Sequence, residues 1–145
     1  MKRKITITAT LILILLSLGI GCIETQNEAA EINSTGFQDV TVEEVKQMID
    51  NKEVFILDVR TQEEFDAGYI KGAVLIDVKE LESRVDEVPL GEKILVYCRS
   101  GRRSITASNI LIDAGHKDVY NMLGGINEWK AAGYPVVLPE GNIKE

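Results

Sequence analysis

The sequence predicts an α/β domain with a central parallel sheet and helices on both of its faces. Three observations support this fold class. Short, continuous apolar runs are typical of strands that are buried on both faces. These runs alternate with segments whose apolar residues recur at helical spacing. The part of the chain that carries this pattern, residues 36–139, is long enough for one hydrophobic core.

Five segments are predicted to form the strands. Three of them are continuous apolar runs, at residues 54–57, 73–76 and 94–97. The strand candidates at residues 37–40 and 119–120 are shorter. Because the apolar runs do not alternate with polar residues, we expect the corresponding strands to be covered on both sides.

Helices are predicted between these strands. Two of them begin at capping boxes, Thr41 with Glu44 and Thr61 with Glu64, in which each side chain can bond to the other residue's backbone N–H. The segment at residues 78–88, directly before Pro89, is charged and amphipathic, so it is predicted to contain a further helix. The other predicted helices run from 104 to 114 and from 126 to 132.

The composition argues against several kinds of function. The chain has 145 residues, with 16 Lys and Arg against 23 Asp and Glu, and aromatic residues make up only 6%. Such an acidic chain does not suit phosphate backbones or stacked bases, so we expect no nucleic-acid partner. Two cysteines and one histidine are too few for a disulfide scaffold and disfavour a zinc site. Gly124 and Gly125 are too few for a dinucleotide fingerprint, so we expect no cofactor.

The start of the chain has the features of a secretory signal. Three basic residues, Lys2, Arg3 and Lys4, precede an apolar run at residues 5–20, and small residues follow it. The run is shorter than the about 20 residues that a membrane-spanning helix needs. Residues 1–21 are therefore predicted to be a signal peptide.

Gly21 and Cys22 indicate a lipid anchor. The segment resembles a prokaryotic lipoprotein signal, in which a cysteine after a small residue is diacylated and becomes the new N-terminus. The match is incomplete, because the family usually has Leu three residues before the cysteine and this chain has Gly19. An uncleaved N-terminal anchor and a plain secretory signal are the alternatives. The resemblance implies an exported protein that is anchored to the outer face of the cytoplasmic membrane through Cys22.

The remaining boundaries follow from polarity and charge. Residues 22–35 are polar and are predicted to form a lipidated or flexible tether, and residues 140–145 a C-terminal tail. Loss of residues 1–21 removes three positive charges and no negative ones, so the net charge changes from −7 to −10. An acidic domain gains nothing from anionic lipid surfaces, so membrane attachment would depend on the N-terminal segment.

Cys98 is the candidate nucleophile. It follows the predicted strand at 94–97, at the carboxyl end where open parallel sheets place their sites. A helix N-terminus with free N–H groups comes next, and Gly101 allows the backbone to turn so that these groups form an anion-binding nest. Three of the chain's six arginines fall within the five residues that follow the cysteine: Arg99, Arg102 and Arg103. Because cations and amides both lower a thiol pKa, we expect Cys98 to be largely thiolate at neutral pH.

The motifs around this loop resemble, in their order along the chain, those of single-domain rhodaneses, a family of sulfurtransferases. The resemblance covers nearly all of residues 37–137. Any one motif is weak, but the ordered set is specific. The matching pieces are Asp58-Val59-Arg60 with Glu63-Glu64-Phe65, residues 68–73, residues 96–104, and the segment from 123–126 through Trp129 to 133–136.

The resemblance implies a five-stranded, mostly parallel sheet and a reaction in two steps. Cys98 would take a sulfane sulfur from a small anionic donor such as thiosulfate and become a persulfide. It would then pass the sulfur to cyanide, a thiol or a protein acceptor, so that one hard transfer is split into two easier ones. The residues implied in donor and persulfide binding are Arg99, Ser100, Gly101, Arg102, Arg103 and Ser104.

Other functions are compatible with a reactive thiolate. The chain could be a persulfide carrier or redox-sensing module that acts with a protein partner. A non-catalytic interaction module is disfavoured, because neither Cys98 nor the basic loop after it is required for the fold. Related thiolate phosphatases and arsenate reductases have Cys, five residues and then Arg. Here Ser104 stands at that position and Arg103 comes one residue too early, so this activity is disfavoured.

Several polar residues near these motifs are expected to be structural. Asp58 and Arg60 follow a buried strand, and an ion pair that fixes neighbouring loops is favoured over contact with substrate. Glu64 lies in the first turn of a helix, where a carboxylate suits the helix dipole without a catalytic role. Tyr69, where many relatives have His, is expected to be a space-filling aromatic. His116, in a turn after a helix, is expected to be exposed to solvent.

Overall fold

The structure is a computed structural model that describes residues 36–139. The predicted signal peptide at 1–21, the tether at 22–35 and the tail at 140–145 lie outside the described residues. The predicted lipidation site, Cys22, lies outside them as well. These predictions therefore stay predictions.

Strands and helices alternate along the described part of the chain, and every strand pair is parallel. The strand order is β1-β5-β4-β2-β3, which confirms the predicted α/β class and its five-stranded parallel sheet. In chain order the elements are β1 Gln38–Val40, α1 Val42–Asp50, β2 Phe55–Asp58, α2 Gln62–Asp66, β3 Val74–Leu75, two 3₁₀ turns Leu81–Ser83 and Val85–Glu87, β4 Ile94–Tyr97, α3 Arg102–Asp113, β5 Val119–Met122 and α4 Gly125–Ala131.

The sheet is covered on both faces, as predicted. Successive side chains of a strand point to opposite faces, so each central strand contributes to two cores. Leu57 and Val96 pack on the side of α3 and the 3₁₀ turns. Ile56, Leu95 and Tyr97 pack on the side of α1 and α4. β4 is buried along its whole length. It is the third of the five strands in the sheet order, so its carboxyl end lies at the centre of one sheet edge.

Both predicted capping boxes are confirmed. The Thr41 hydroxyl accepts from the Glu44 amide at 3.3 Å, and the Glu44 carboxylate accepts from the Thr41 amide at 2.7 Å. The same reciprocal bonds join Thr61 and Glu64, at 3.3 Å and 3.2 Å. Each box satisfies N–H groups that have no partner inside the helix, so α1 and α2 begin at defined residues.

The predicted helix within residues 78–88 is wrong, because that segment forms the two 3₁₀ turns. The apolar spacing is explained by burial, since Leu81 and Val88 do reach the core. The Asp77 carboxylate accepts from the Lys79 amide at 3.0 Å, and such a local bond competes with helix formation. The rest of the segment has hydrogen bonds between residues three apart, such as the bond from the Val88 N–H to the Val85 carbonyl.

Two burial predictions also differ from the structure. The run at 73–76 forms only a two-residue strand, and Val74 is 40% exposed because β3 is an edge strand that pairs with β2 alone. His116 was expected to be exposed but is only 4% exposed. The left-handed turn at Gly115 folds the chain back, and the His116 amide bonds to the Leu111 carbonyl at 3.0 Å.

A buried ion pair connects β2 to the segment before β3. Asp58 is fully buried and Arg60 is 3% exposed, and Nη2 of Arg60 lies 2.6 Å from Oδ2 of Asp58. Arg60 also donates to the Glu64 carbonyl at 3.1 Å and to the Gly68 carbonyl at 2.9 Å. The guanidinium lies over the Tyr97 ring, 5.6 Å from its centroid. This network joins β2, α2, the 68–70 loop and β4 at the carboxyl edge of the sheet.

Replacing Arg60 should therefore be strongly destabilising. Arg60→Met leaves the Asp58 carboxylate buried without its partner, and we expect the free energy of unfolding to fall by about 3–5 kcal/mol. Urea-induced unfolding followed by circular dichroism measures the change. Arg84→Met is the control, because Arg84 makes ion pairs with exposed glutamates, at 2.9 Å to Glu80 and 2.7 Å to Glu87. Surface pairs contribute little, so equal losses in the two variants would contradict a supporting role for Arg60.

Candidate active site

The residues after β4 curl around the sulfur of Cys98. Gly101 has a φ of +93° and is the N-cap of α3, so the chain turns sharply between the strand and the helix. The Gly101 amide donates to Sγ of Cys98 at 3.2 Å, and the Ser104 hydroxyl lies 3.6 Å from the same sulfur. Cys98 is only 1% exposed. The sulfur therefore lies at the bottom of a nest of hydrogen-bond donors at the sheet edge.

The nest determines the ionisation of Cys98. Burial raises the pKa of the thiol, but this effect is outweighed by the Ser104 hydroxyl and by the amides of Ser104, Ser100 and Gly101. The net result is a pKa below that of an ordinary cysteine, which favours the thiolate. The donors that lower the pKa are hydrogen-bonding groups in contact with the sulfur. The sequence also predicts a contribution from the neighbouring arginine charges, which are not among these groups.

Helix α4 holds the other side of the loop. The Ile126 amide donates to the Cys98 carbonyl at 2.9 Å, and the Asn127 amide donates to the Arg99 carbonyl at 3.1 Å. Gly125 makes this approach possible, because a Cβ there would lie 2.5 Å from the Cys98 carbonyl oxygen. The sequence carried no signal for these bonds from α4 to the loop carbonyls.

The three loop arginines have different surroundings. Arg99 and Arg102 are exposed and make no ion pair within residues 36–139. Arg103 is half-buried and forms two bonds of 2.7 Å to the carboxylate of Glu64, which is 39 residues away in sequence. These bonds are the main reason that the pKa of Glu64 is lowered to about 2. The sequence indicates only a helix-start role for Glu64, and this contact with Arg103 is not predictable from it.

The remaining predicted site residues lie in or near the nest. Ser100 is exposed and contributes its amide, whereas Ser104 is fully buried with its hydroxyl beside the sulfur. Tyr69 stacks on Phe65, with ring centroids 4.0 Å apart. Asp58 and Arg60 form the ion pair described above, next to α2.

The arrangement is suited to nucleophilic chemistry without a partner base. His116 is the chain's one histidine and precedes β5, at the sheet edge opposite the carboxyl end of β4, so no Cys–His pair forms.

Within residues 36–139, no group of three His, Cys, Asp or Glu side chains could hold a metal ion. No helix in the same range has both the length and the apolar character to cross a membrane.

Comparisons with known proteins agree with this geometry. A family model described as a rhodanese-like domain matches residues 41–132. A sulfurtransferase of Allochromatium vinosum is 35% identical over 96 residues, which cover 66% of this chain and 90% of that protein. A thiosulfate sulfurtransferase of Pseudoalteromonas translucida is 28% identical over 96 residues, 66% of this chain and 91% of that protein. The crystal structure of a rhodanese-related protein from Thermoplasma volcanium is similar with a TM-score of 0.65, at 31% identity over 69% of this chain and 97% of that one.

The nest predicts a specific pH dependence of thiol reactivity. Iodoacetamide reacts with the thiolate, so the alkylation rate of Cys98 measured against pH reports its pKa. We expect the midpoint to lie below that of a free cysteine. Ser104→Ala removes the hydroxyl that most strongly lowers the pKa, so the midpoint should move to higher pH.

Ser108→Ala is the matched control for this measurement. Ser108 lies one turn further along α3 and is also fully buried, but its hydroxyl has no hydrogen-bond partner in the described part of the chain. We expect this variant to keep the wild-type midpoint. Equal shifts in the two serine variants, or no shift in either, would show that the Ser104 hydroxyl does not stabilise the thiolate.

Proposed function

This chain belongs to the rhodanese-like domain family, and from that premise we propose that it transfers sulfane sulfur through a persulfide on Cys98. The observation that carries the proposal is the donor nest, in which the Gly101 amide and the Ser104 hydroxyl face Sγ. Both donors point to a single atom, which suits one anionic sulfur. The same donors can stabilise the thiolate before transfer and the persulfide after it.

The proposed reaction has two balanced steps. The Cys98 thiolate attacks the outer sulfur of thiosulfate, a Cys–S–S bond forms, the sulfur–sulfur bond of thiosulfate breaks, and sulfite leaves with the electron pair. The acceptor, cyanide or a thiolate, then attacks the terminal sulfur and releases the Cys98 thiolate. With cyanide the product is thiocyanate. Neither step needs an external oxidant or reductant, since the sulfane sulfur moves as a neutral atom.

The charges at the loop support a small anionic donor. Arg99 and Arg102 are exposed beside the nest, on a chain whose net charge is −7. Their local positive field favours the approach of an anion that the rest of the acidic surface repels. Thiosulfate fits this chemistry, and it appears in the name of the Pseudoalteromonas relative.

The acceptor is proposed to come from outside the domain. Cys98 is the only cysteine among the described residues, and the chain's other cysteine is Cys22. If Cys22 is acylated, no thiol of this chain can resolve the persulfide. An external thiol, cyanide or a protein acceptor would then discharge it.

The test is sulfur transfer from thiosulfate to cyanide, with intact mass as a second readout. The wild-type protein should produce thiocyanate and, with thiosulfate alone, gain about 32 Da, the mass of one sulfur atom. Cys98→Ser should lose both the turnover and the added mass, because it lacks the attacking thiolate. Cys22→Ser is the control and should keep both. A protein that gains the mass but turns over very slowly with small acceptors would point to a persulfide carrier that needs a protein partner.

We also propose that the protein is an exported lipoprotein. The basic start, the apolar run at 5–20 and the Gly21-Cys22 junction support this assignment. Two acyl chains on one residue would hold the domain at a membrane more stably than one. Residues 22–35 would then form the tether between the membrane and the domain.

The mature N-terminus tests this second proposal. Mass spectrometry of the protein purified from a membrane fraction should identify a chain that begins at a diacylated Cys22. Cys22→Ser should lose the acyl groups and leave the membrane fraction. A wild-type protein with an unmodified Cys22 would show that the lipoprotein assignment is wrong.

A further inference from the structure

Glu64 lies outside the catalytic loop but binds one of its three arginines. We propose that Glu64 is a positioning residue that holds Arg103 away from the sulfur-donor site, so that a donor meets Arg99 and Arg102 alone. In this arrangement Glu64 limits the preference of the site for donors of higher negative charge. The inference rests on the proposed sulfur transfer and adds a determinant of donor specificity to it.

Two hydrogen bonds hold the Arg103 guanidinium and the Glu64 carboxylate in a fixed relative orientation. Nη1 and Nη2 of Arg103 each lie 2.7 Å from one carboxylate oxygen of Glu64. Two parallel bonds of this kind fix the orientation of a guanidinium as well as its position. The side chains of Arg103 and Glu64 are 33% and 27% exposed, so the pair is only partly accessible to solvent.

Residues other than Arg103 also fix the position of Glu64. Its carboxylate accepts from the Thr61 amide and from the Thr61 hydroxyl, each at 3.2 Å. Its backbone carbonyl accepts from Arg60 at 3.1 Å, and Arg60 is fixed by the buried Asp58. The capping box and the buried ion pair therefore present the Glu64 carboxylate to Arg103 in one orientation, with little entropy left to lose.

Three negative groups from three segments raise the pKa of the Arg103 guanidinium. Glu64 belongs to α2, the Cys98 thiolate to the loop after β4, and Asp77 to the segment after β3. Only Glu64 forms an ion pair with Arg103 among the described residues. The Arg103 bonds keep the pKa of Glu64 low, at about 2, so the pair is ionised throughout the neutral range.

The pair changes the charge that a donor meets. A guanidinium bound by a carboxylate presents little net charge, whereas Arg99 and Arg102 have no such partner within residues 36–139. Electrostatic attraction scales with the product of the charges. A released Arg103 would therefore attract a dianion about twice as strongly as a monoanion. Its charge would also stabilise the Cys98 thiolate further.

The experiment compares two glutamates that make the same kind of capping box. Glu64→Gln keeps an oxygen for the Thr61 amide but removes the charge that holds Arg103. Glu44→Gln makes the same change in the box of α1, where no arginine among residues 36–139 forms an ion pair with the glutamate. The donors are thiosulfate, a dianion, and methanethiosulfonate, a monoanion with the same kind of sulfane sulfur. Both are assayed with cyanide as acceptor.

We expect Glu64→Gln to lower the KM for thiosulfate by about threefold or more, and the KM for methanethiosulfonate by less. The alkylation midpoint of Cys98 should move to lower pH. Glu44→Gln should match the wild type in both KM values and in the midpoint. A merely structural role of Glu64 would lower stability and activity without this dependence on donor charge.

A double variant shows whether Glu64 acts through Arg103. Arg103→Gln should abolish the effect, so that the Glu64→Gln/Arg103→Gln protein has the same KM ratio and midpoint as Arg103→Gln alone. The inference is overturned if Glu64→Gln behaves like Glu44→Gln, or if its effect persists without Arg103. The alkylation measurement needs no sulfur transfer. A wild type that transfers no sulfur would therefore disprove the proposed function, while the alkylation shift would still decide the positioning role.

Discussion

The structure around Cys98 depends on one constraint, which is that a sulfur anion buried in protein must be solvated by fixed donors. Burial alone raises the pKa of the thiol, and the surrounding amides and the Ser104 hydroxyl reverse that effect. Such donors are effective because they contact the sulfur and are already oriented. The left-handed turn at Gly101 brings its amide to 3.2 Å from Sγ.

The rest of the fold keeps those donors in place. The sharp turn before α3 is stabilised by residues outside the turn as well as by its own. Two amides of α4 donate to the carbonyls of Cys98 and Arg99, and Gly125 allows the backbones of α4 and the loop to approach each other. Below the loop, β4 is buried on both faces between β5 and β2, and the Asp58–Arg60 pair fixes the neighbouring strand end. The loop is therefore held by the strand that precedes it and by a helix that comes later in sequence.

Contact donors and more distant charges have separate effects at this site. Amides and a hydroxyl stabilise the anionic sulfur at short range, whereas arginines act on the approach of an external anion. In the proposed function, the exposed Arg99 and Arg102 take the second role. Arg103 is tied to Glu64 across 39 residues of sequence, so the number of arginines in the loop overstates the free positive charge beside it. A domain that is acidic as a whole can therefore carry local positive charge on the loop that follows Cys98.

The sequence by itself determined the local features, because these depend on short-range patterns. The alternating elements, both capping boxes and the parallel sheet were predicted, and the structure confirms them. The position of Cys98 between a strand and a helix was also evident from its neighbours. Only the tertiary structure decided which groups meet from distant segments: Glu64 with Arg103, the amides of α4 with the loop carbonyls, and the burial of His116. The 3₁₀ turns were missed for a different, local reason, since apolar spacing records which residues are buried but not the hydrogen bonds that the backbone adopts to bury them.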